Sequence, residues 1–107
     1  MTDFNDRERA EEKKYAFDEE TAFRIAARAN RLLGQWAAEK MGLTPEETDA
    51  YAKAVVQADF EEAGHEDVIR KVLGDLTSAG ADVDEAGVRT ALEEKTVEAR
   101  RHFMSQS

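Results

Sequence analysis

The chain has 107 residues, of which 41% are hydrophobic and 36% charged, and its formal net charge is −9. This length predicts one small domain with a modest core, and the acidic balance excludes proteins that track nucleic-acid phosphates or sit on anionic lipid. The chain has no cysteine, its start is too charged for a signal peptide, and no apolar run approaches the roughly 20 residues that span a bilayer, so we expect a soluble cytoplasmic protein.

The first predicted element is a charged N-terminal segment, residues 1–18. Of the nineteen residues from Thr2 to Glu20, twelve are charged. Asp3 can cap a helix, but no broad apolar face recurs at helical spacing. An isolated helix of about 12 to 15 residues is marginal in water. The segment is therefore predicted to be mobile or frayed: it orders on a partner, or it is a solvated tail or a charged extension of the first helix.

The remainder, residues 19–107, is predicted to hold four helices, near 19–41, 45–63, 66–79 and 83–104. The first boundary is the best defined. Gly42 suits the left-handed position after a helix, Thr44 can cap the next helix, Pro45 fits its first position, and Glu47 completes a capping box.

Two further breaks complete the helix boundaries. Ala63-Gly64 ends the second helix, and Ser78-Ala79-Gly80-Ala81 forms a loop after the third. In the fourth helix Asp82 is predicted to be the cap, with Glu85 three residues later.

Each of the four helices carries an apolar stripe at helical spacing. Short loops between one-sided helices predict that they pack as a bundle, so the fold class is all-α, a small four-helix bundle with a mobile, charged N-terminal segment. The predicted core residues are Ile25, Ala29, Leu32, Leu33, Trp36, Ala52, Val55, Val56, Phe60, Val68, Ile69, Val72, Leu73, Leu76, Val88, Ala91, Leu92, Ala99 and Phe103.

A basic stripe lies beside the apolar one on the first helix. Arg24, Arg28 and Arg31 follow i, i+4, i+7 spacing, in a region whose net charge is +3 while the whole chain is acidic. One interpretation is a solvated face paired with acidic helices nearby. The other is a site for an anion or a nucleotide phosphate, which would make the protein a small nucleotide-sensing bundle that binds ATP or ADP weakly.

Catalytic chemistry has few candidate residues. The only histidines are His65 and His102, and with no cysteine and three serines a set of nucleophile, base and orienting group cannot be placed. We expect no enzymatic activity, no catalytic residue and no cofactor.

One metal motif is partial. Asp82, Asp84, Gly87 and Glu93 match positions 1, 3, 6 and 12 of a calcium-binding EF-hand loop, but Ala86 supplies no oxygen at position 5. A capped helix accounts for the same acidic residues. We therefore predict no metal site, with a calcium-binding helix pair as the less favoured alternative.

Several stretches resemble one protein family, in order and at matching spacing from about residue 3 to 76. They are Phe4 to Glu8, Ala29 to Glu39, Tyr51 to Glu62 and Glu66 to Leu73, of which Leu32-Leu33-Gly34-Gln35-Trp36-Ala37-Ala38-Glu39 is the most specific. They resemble the zeta subunit, the ATPase inhibitor of the alphaproteobacterial F1Fo-ATP synthase. The last helix fits more loosely.

The resemblance implies a helical bundle whose mobile N-terminal segment, roughly Thr2 to Phe17, inserts between catalytic subunits of F1 and blocks rotation in the hydrolytic direction. It also implies that the protein contacts the catalytic and rotor subunits of F1. The protein would then be cytoplasmic and would reach the inner face of the bacterial inner membrane only when bound to the synthase. Nucleic acid is not an expected partner. The predicted partner-binding residues are Asp3, Phe4, Asp6, Arg7, Glu8, Arg9, Lys13, Lys14, Tyr15 and Phe17.

Overall fold

A computed structural model describes residues 2–61 and 65–104, with side-chain environments for 20–58 and 65–104. Within these residues the chain forms four helices and no strand, so the predicted all-α four-helix fold is confirmed. The elements are α1 Thr2–Met41, α2 Pro45–Glu61, α3 Glu66–Ser78 and α4 Glu85–Met104.

The first helix begins earlier than predicted. It runs without a break from Thr2 to Met41, so the acidic run around residue 19 lies inside the helix and is not its cap. Residues 2–33 contain no glycine or proline that would interrupt a helix. Residues 2–18 therefore extend α1 in this structure, and the predicted mobility of this segment stays a prediction.

The turn between α1 and α2 is built as the sequence predicts. Gly42 has φ +72° and its N–H donates to the carbonyl of Glu39 at 3.1 Å. The N–H of Thr44 donates to Oε1 of Glu47 at 3.0 Å, and the N–H of Glu47 donates to Oγ1 of Thr44 at 3.2 Å. These bonds form the capping box, and those from Thr44 hold the pKa of Glu47 below its usual value.

The fourth helix begins later than predicted, because its cap is Asp84 and not Asp82. Oδ1 of Asp84 accepts the N–H of Gly87 at 2.8 Å. With this cap, Val83 precedes the helix and packs against the same apolar cluster as Val88. Hydrophobic residues on either side of a cap pack together and fix how the chain enters the helix, which explains the choice of Asp84.

Two polar contacts hold α3 to its neighbours. The hydroxyl of Tyr51 on α2 donates to Oδ2 of Asp75 at 2.8 Å, and burial together with this bond raises the pKa of Tyr51. On the other side, Nη1 and Nη2 of Arg89 on α4 donate to the two carboxylate oxygens of Glu66 at 3.0 and 2.8 Å. Hydrogen bonding to Arg89 lowers the pKa of Glu66.

The core-facing side of α1 is made of smaller residues than predicted. Ala29, Leu33 and Ala37 are fully or almost fully buried, whereas the predicted core residues Ile25 and Trp36 are only partly buried. Large residues mark an apolar stripe in a sequence, but small residues let helices approach closely enough to form the centre of a slender bundle. The main buried cluster comprises Leu33, Ala37, Val55, Val68, Ile69, Val72, Leu76, Val88, Ala91 and Leu92.

α1 and α2 approach each other closely at Gly34. A Cβ atom placed on Gly34 would lie 2.7 Å from Cα of Ala52 and 3.3 Å from Cγ2 of Val55. The first contact is with backbone, which cannot rotate away. Any side chain at position 34 would therefore push the two helices apart.

We predict that Gly34→Ala lowers the free energy of unfolding by about 1 to 3 kcal/mol, because overpacking at a helix contact outweighs the gain in helix propensity. Gly74 in α3 is the matched control, since a Cβ atom there meets nothing within 4 Å. Gly74→Ala is expected to raise stability by up to about 1 kcal/mol. Urea unfolding followed by circular dichroism measures both, and equal effects of the two substitutions would contradict close packing at Gly34.

Candidate functional site

The first half of α1 extends beyond the other helices. An α-helix rises about 1.5 Å per residue, so the 40 residues of α1 span about 60 Å, which matches the 61 Å longest dimension of the molecule. The 20 residues of α4 cover about 30 Å at the same rise. Roughly half of α1 therefore lies past the packed part of the bundle.

The exposure of side chains along one side of α1 shows where this helix leaves the bundle. Ala37, Asn30 and Phe23 are spaced seven residues apart, which is about two turns, and so share a side. Ala37 and Asn30 are 0% exposed, whereas Phe23 is 56% exposed. The interior of the bundle thus ends between Asn30 and Phe23.

A groove between α1 and α4 lies at this same end. It has a volume of about 460 Å³ and runs between the start of the packed part of α1 and the last two turns of α4. We call this end of the molecule the open end and define it by Phe23, His65, Arg100 and Met104. The groove is lined by Thr21, Ala22, Ile25, Ala26, His65, Thr96, Arg100 and Met104.

The predicted partner-binding residues all lie on the projecting half of α1. The structure does not describe the surroundings of these side chains, but a continuous helix fixes the position of each residue around its axis. At about 100° per residue, positions 4 and 15 lie on one side and position 17 lies roughly 140° to 160° away. The three aromatic positions Phe4, Tyr15 and Phe17 are therefore distributed over two sides of one helix.

The structure divides the predicted basic stripe. Arg24 donates to Oε1 of Glu20 at 2.9 Å on the exposed surface. Arg28 and Arg31 instead line a second groove, of about 430 Å³, together with Lys53 of α2. Ala27, Val56 and Gln57 form the rest of its lining.

Arg28 carries an unsatisfied hydrogen-bond donor at this groove. Its Nε atom is buried and has no hydrogen-bond partner among the described residues, and Arg31 approaches Asp49 only at 3.7 Å. Lys53 was not among the residues predicted from sequence, because it joins the arginines only through antiparallel packing of α1 and α2. The groove places three cations beside an apolar wall, an arrangement that suits a phosphate attached to a flat organic group.

The calcium alternative lacks the loop that it requires. An EF-hand loop spans twelve residues between two helices, but here α4 already begins at Glu85, so Glu93 lies inside the helix. Oδ1 of Asp84 is used in capping that helix. In the described part of the chain no group of three or more acidic, histidine or cysteine side chains is placed to hold a metal ion.

No helix in the described ranges combines the length and the apolar character needed to cross a membrane. The projecting half of α1 is instead densely charged.

Comparison with known proteins identifies the family of the chain. The family model described as ATPase inhibitor subunit zeta matches residues 1–102. A protein whose structure was determined by NMR in solution is 48% identical, with a TM-score of 0.69, and the match covers 79% of this chain and 96% of that chain. A search of curated proteins gave no match. The resemblance inferred from the sequence is thus confirmed, and the chain belongs to the ATPase inhibitor subunit zeta family.

Proposed function

We propose that the protein inhibits F1-ATPase by inserting the projecting half of α1 between catalytic subunits, which blocks rotation and ATP hydrolysis. The catalytic and rotor subunits of F1 are the partners, and the protein resides in the cytoplasm, meeting the inner face of the bacterial membrane only through the synthase. The inhibitor performs no chemistry itself. A mechanical block needs a stiff element of sufficient length and a body that holds it in place.

The observation that carries this proposal is the length of α1 beyond its packing partners. About 30 Å of continuous helix extends past the bundle at a rise of 1.5 Å per residue. A helix of this length can cross the contact between two subunits. Because it is joined without a break to the packed half of α1, force on its tip is transmitted to the whole bundle.

The distribution of aromatic positions also supports insertion between two surfaces. A helix lying on one surface needs anchors along one side, whereas a helix held between two walls can use anchors on both. Phe4 and Tyr15 lie on one side of α1, and Phe17 lies on another. Arg7, Arg9, Lys13 and Lys14 are well placed to fix the register through charge, and Asp3, Asp6 and Glu8 complete the contact set.

Truncation tests whether the projecting half carries the activity. We predict that the full chain inhibits ATP hydrolysis by F1 depleted of this subunit, and that residues 18–107 do not. The shorter chain should still fold, because every core residue identified in the structure lies at or after Ala29. Thermal unfolding of both chains serves as the control. Equal inhibition by the two chains would contradict the proposal.

Single substitutions test the anchors. We predict that Phe4→Ala and Phe17→Ala each weaken inhibition about 5- to 150-fold, since losing a buried interface aromatic costs on the order of 1 to 3 kcal/mol. The melting temperature of the free protein should not change, because both positions lie on the projecting half of α1. The inhibition constant and the melting temperature are measured on the same samples. A melting temperature that falls along with inhibition would identify these residues as part of the fold.

We propose nucleotide binding as a second activity, located in the groove of Arg28, Arg31 and Lys53. The buried and unpartnered Nε of Arg28 is the observation that favours it. A buried cationic donor without a partner is costly, and a phosphate oxygen would satisfy it. Arg24, whose guanidinium pairs with Glu20, belongs to the same predicted stripe but not to this groove.

NMR titration with ADP or ATP tests this site. We predict shifts of backbone amides around Arg28, Lys53 and Gln57 in the parent protein, and loss of these shifts in Arg28→Glu. Arg24→Glu is the matched control and should keep them, because it makes the same charge change on the same helix outside the groove. Absence of shifts in the parent, or unchanged shifts in Arg28→Glu, would rule out the groove.

A further inference from the structure

We infer that the open end of the bundle is a second contact surface, which docks on an apolar patch bordering the cleft that receives residues 2–17. This inference rests on the proposed function and adds to it a named surface and a role. The projecting helix provides the block, and the open end sets how deeply that helix enters.

The first step of the argument is distance. Phe17, the last predicted anchor, precedes Thr21, the first residue that lines the groove at the open end, by four positions. At 1.5 Å per residue this is about 6 Å of helix. A protein that encloses Phe17 therefore comes within a few ångströms of the open end.

The second step is cross-section. The molecule measures 24 × 22 Å across its two shorter axes, whereas a single helix with its side chains is about 10 to 12 Å wide. A cleft that fits one helix cannot admit the bundle. Insertion must therefore stop where α1 widens into the bundle, with the open end pressed against the rim of the cleft.

The third step is chemistry. Phe23 is 56% exposed and Met104 is 62% exposed, and these are two of the three exposed large apolar residues in the described part of the chain. Both lie at the open end: Met104 lines the groove, and Phe23 directly follows Ala22, which lines it from α1. Exposed apolar groups around a groove are typical of protein contact sites. An apolar partner surface fits them, and burial would remove both from water.

Val97 is the third exposed large apolar residue, at 45% exposure, and it provides a control. It lies on α4 seven residues before Met104, which is about 10 Å further from the open end. It does not line the groove. Replacing Val97 by glutamate makes the same chemical change on the same helix as Met104→Glu, but away from the proposed contact.

The test measures inhibition of F1 by full-length Phe23→Glu, Met104→Glu and Val97→Glu, each compared with the parent. We expect the first two to raise the inhibition constant about 10-fold or more, the range for a charge placed in an apolar contact, and Val97→Glu to change it less than about 2-fold. We expect only small and similar decreases in unfolding temperature for the three variants, since the replaced side chains are about half exposed. Parent-like inhibition by both open-end variants would overturn the inference.

A helical insertion gives an independent test. Seven residues of helix-forming sequence placed after Glu19 add about two turns, so the segment moves about 10 Å from the bundle while keeping nearly the same rotation. If the open end docks together with the helix, this insertion weakens inhibition at least as much as Phe23→Glu. If inhibition is unchanged, the bundle does not set the depth, and the inference fails.

Two further results distinguish failure of docking at the open end from failure of the proposed function. If removal of residues 1–17 leaves inhibition intact, the proposed function itself fails. If that removal abolishes inhibition but the open-end variants inhibit like the parent, only the docking inference fails. If the parent sediments as a dimer that Phe23→Glu converts to a monomer, the surface contacts a second copy, and docking on F1 is overturned.

Discussion

The whole arrangement depends on one helix that passes through two environments. The C-terminal half of α1 is held by packing of Leu33 and Ala37 against the other helices, while the N-terminal half projects from the bundle. Starting a helix is costly, with a nucleation constant of about 10⁻³, but adding a residue to an existing helix is close to neutral. The packed half therefore acts as the nucleus for the rest. A segment with no apolar face of its own can therefore be helical.

The slenderness of the bundle follows from its small interior residues. Gly34 and Ala52 bring α1 and α2 into near-backbone contact, and the bulky Trp36 packs at the margin of the core. Toward the open end the interior becomes less favourable: both amide atoms of Asn30 are buried without a hydrogen-bond partner among the described residues. Such unsatisfied groups cost about 1 to 3 kcal/mol. Stability is thus concentrated away from the open end, where Phe23 marks the transition from core to surface.

The sequence predicts best those features whose partners are close along the chain. The capping box of Thr44 and Glu47 was placed correctly because both residues belong to one turn. The predicted start of α4 was wrong because the choice of Asp84 depends on core packing beside it, and the start of α1 was left open because the acidic residues around position 19 suit both a cap and a helix interior. Lys53 joins Arg28 only through the pairing of two helices. Contacts between helices, including those at the open end, are therefore the features that could be identified only from the structure.

Separation of the projecting half of α1 from the core has a physical consequence for how substitutions act. Phe4 and Phe17 lie far along α1 from Leu33, the first α1 residue of the main apolar cluster, so a substitution there that altered partner affinity would do so with little effect on folding. Phe23 lies where α1 leaves the bundle, so a substitution there would affect both partner binding and folding, the latter to a small degree. Binding strength can therefore range from weak to strong on an unchanged bundle. Because the segment continues a helix that the bundle has already nucleated, ordering it on a partner would cost less free energy than ordering an isolated segment of the same length.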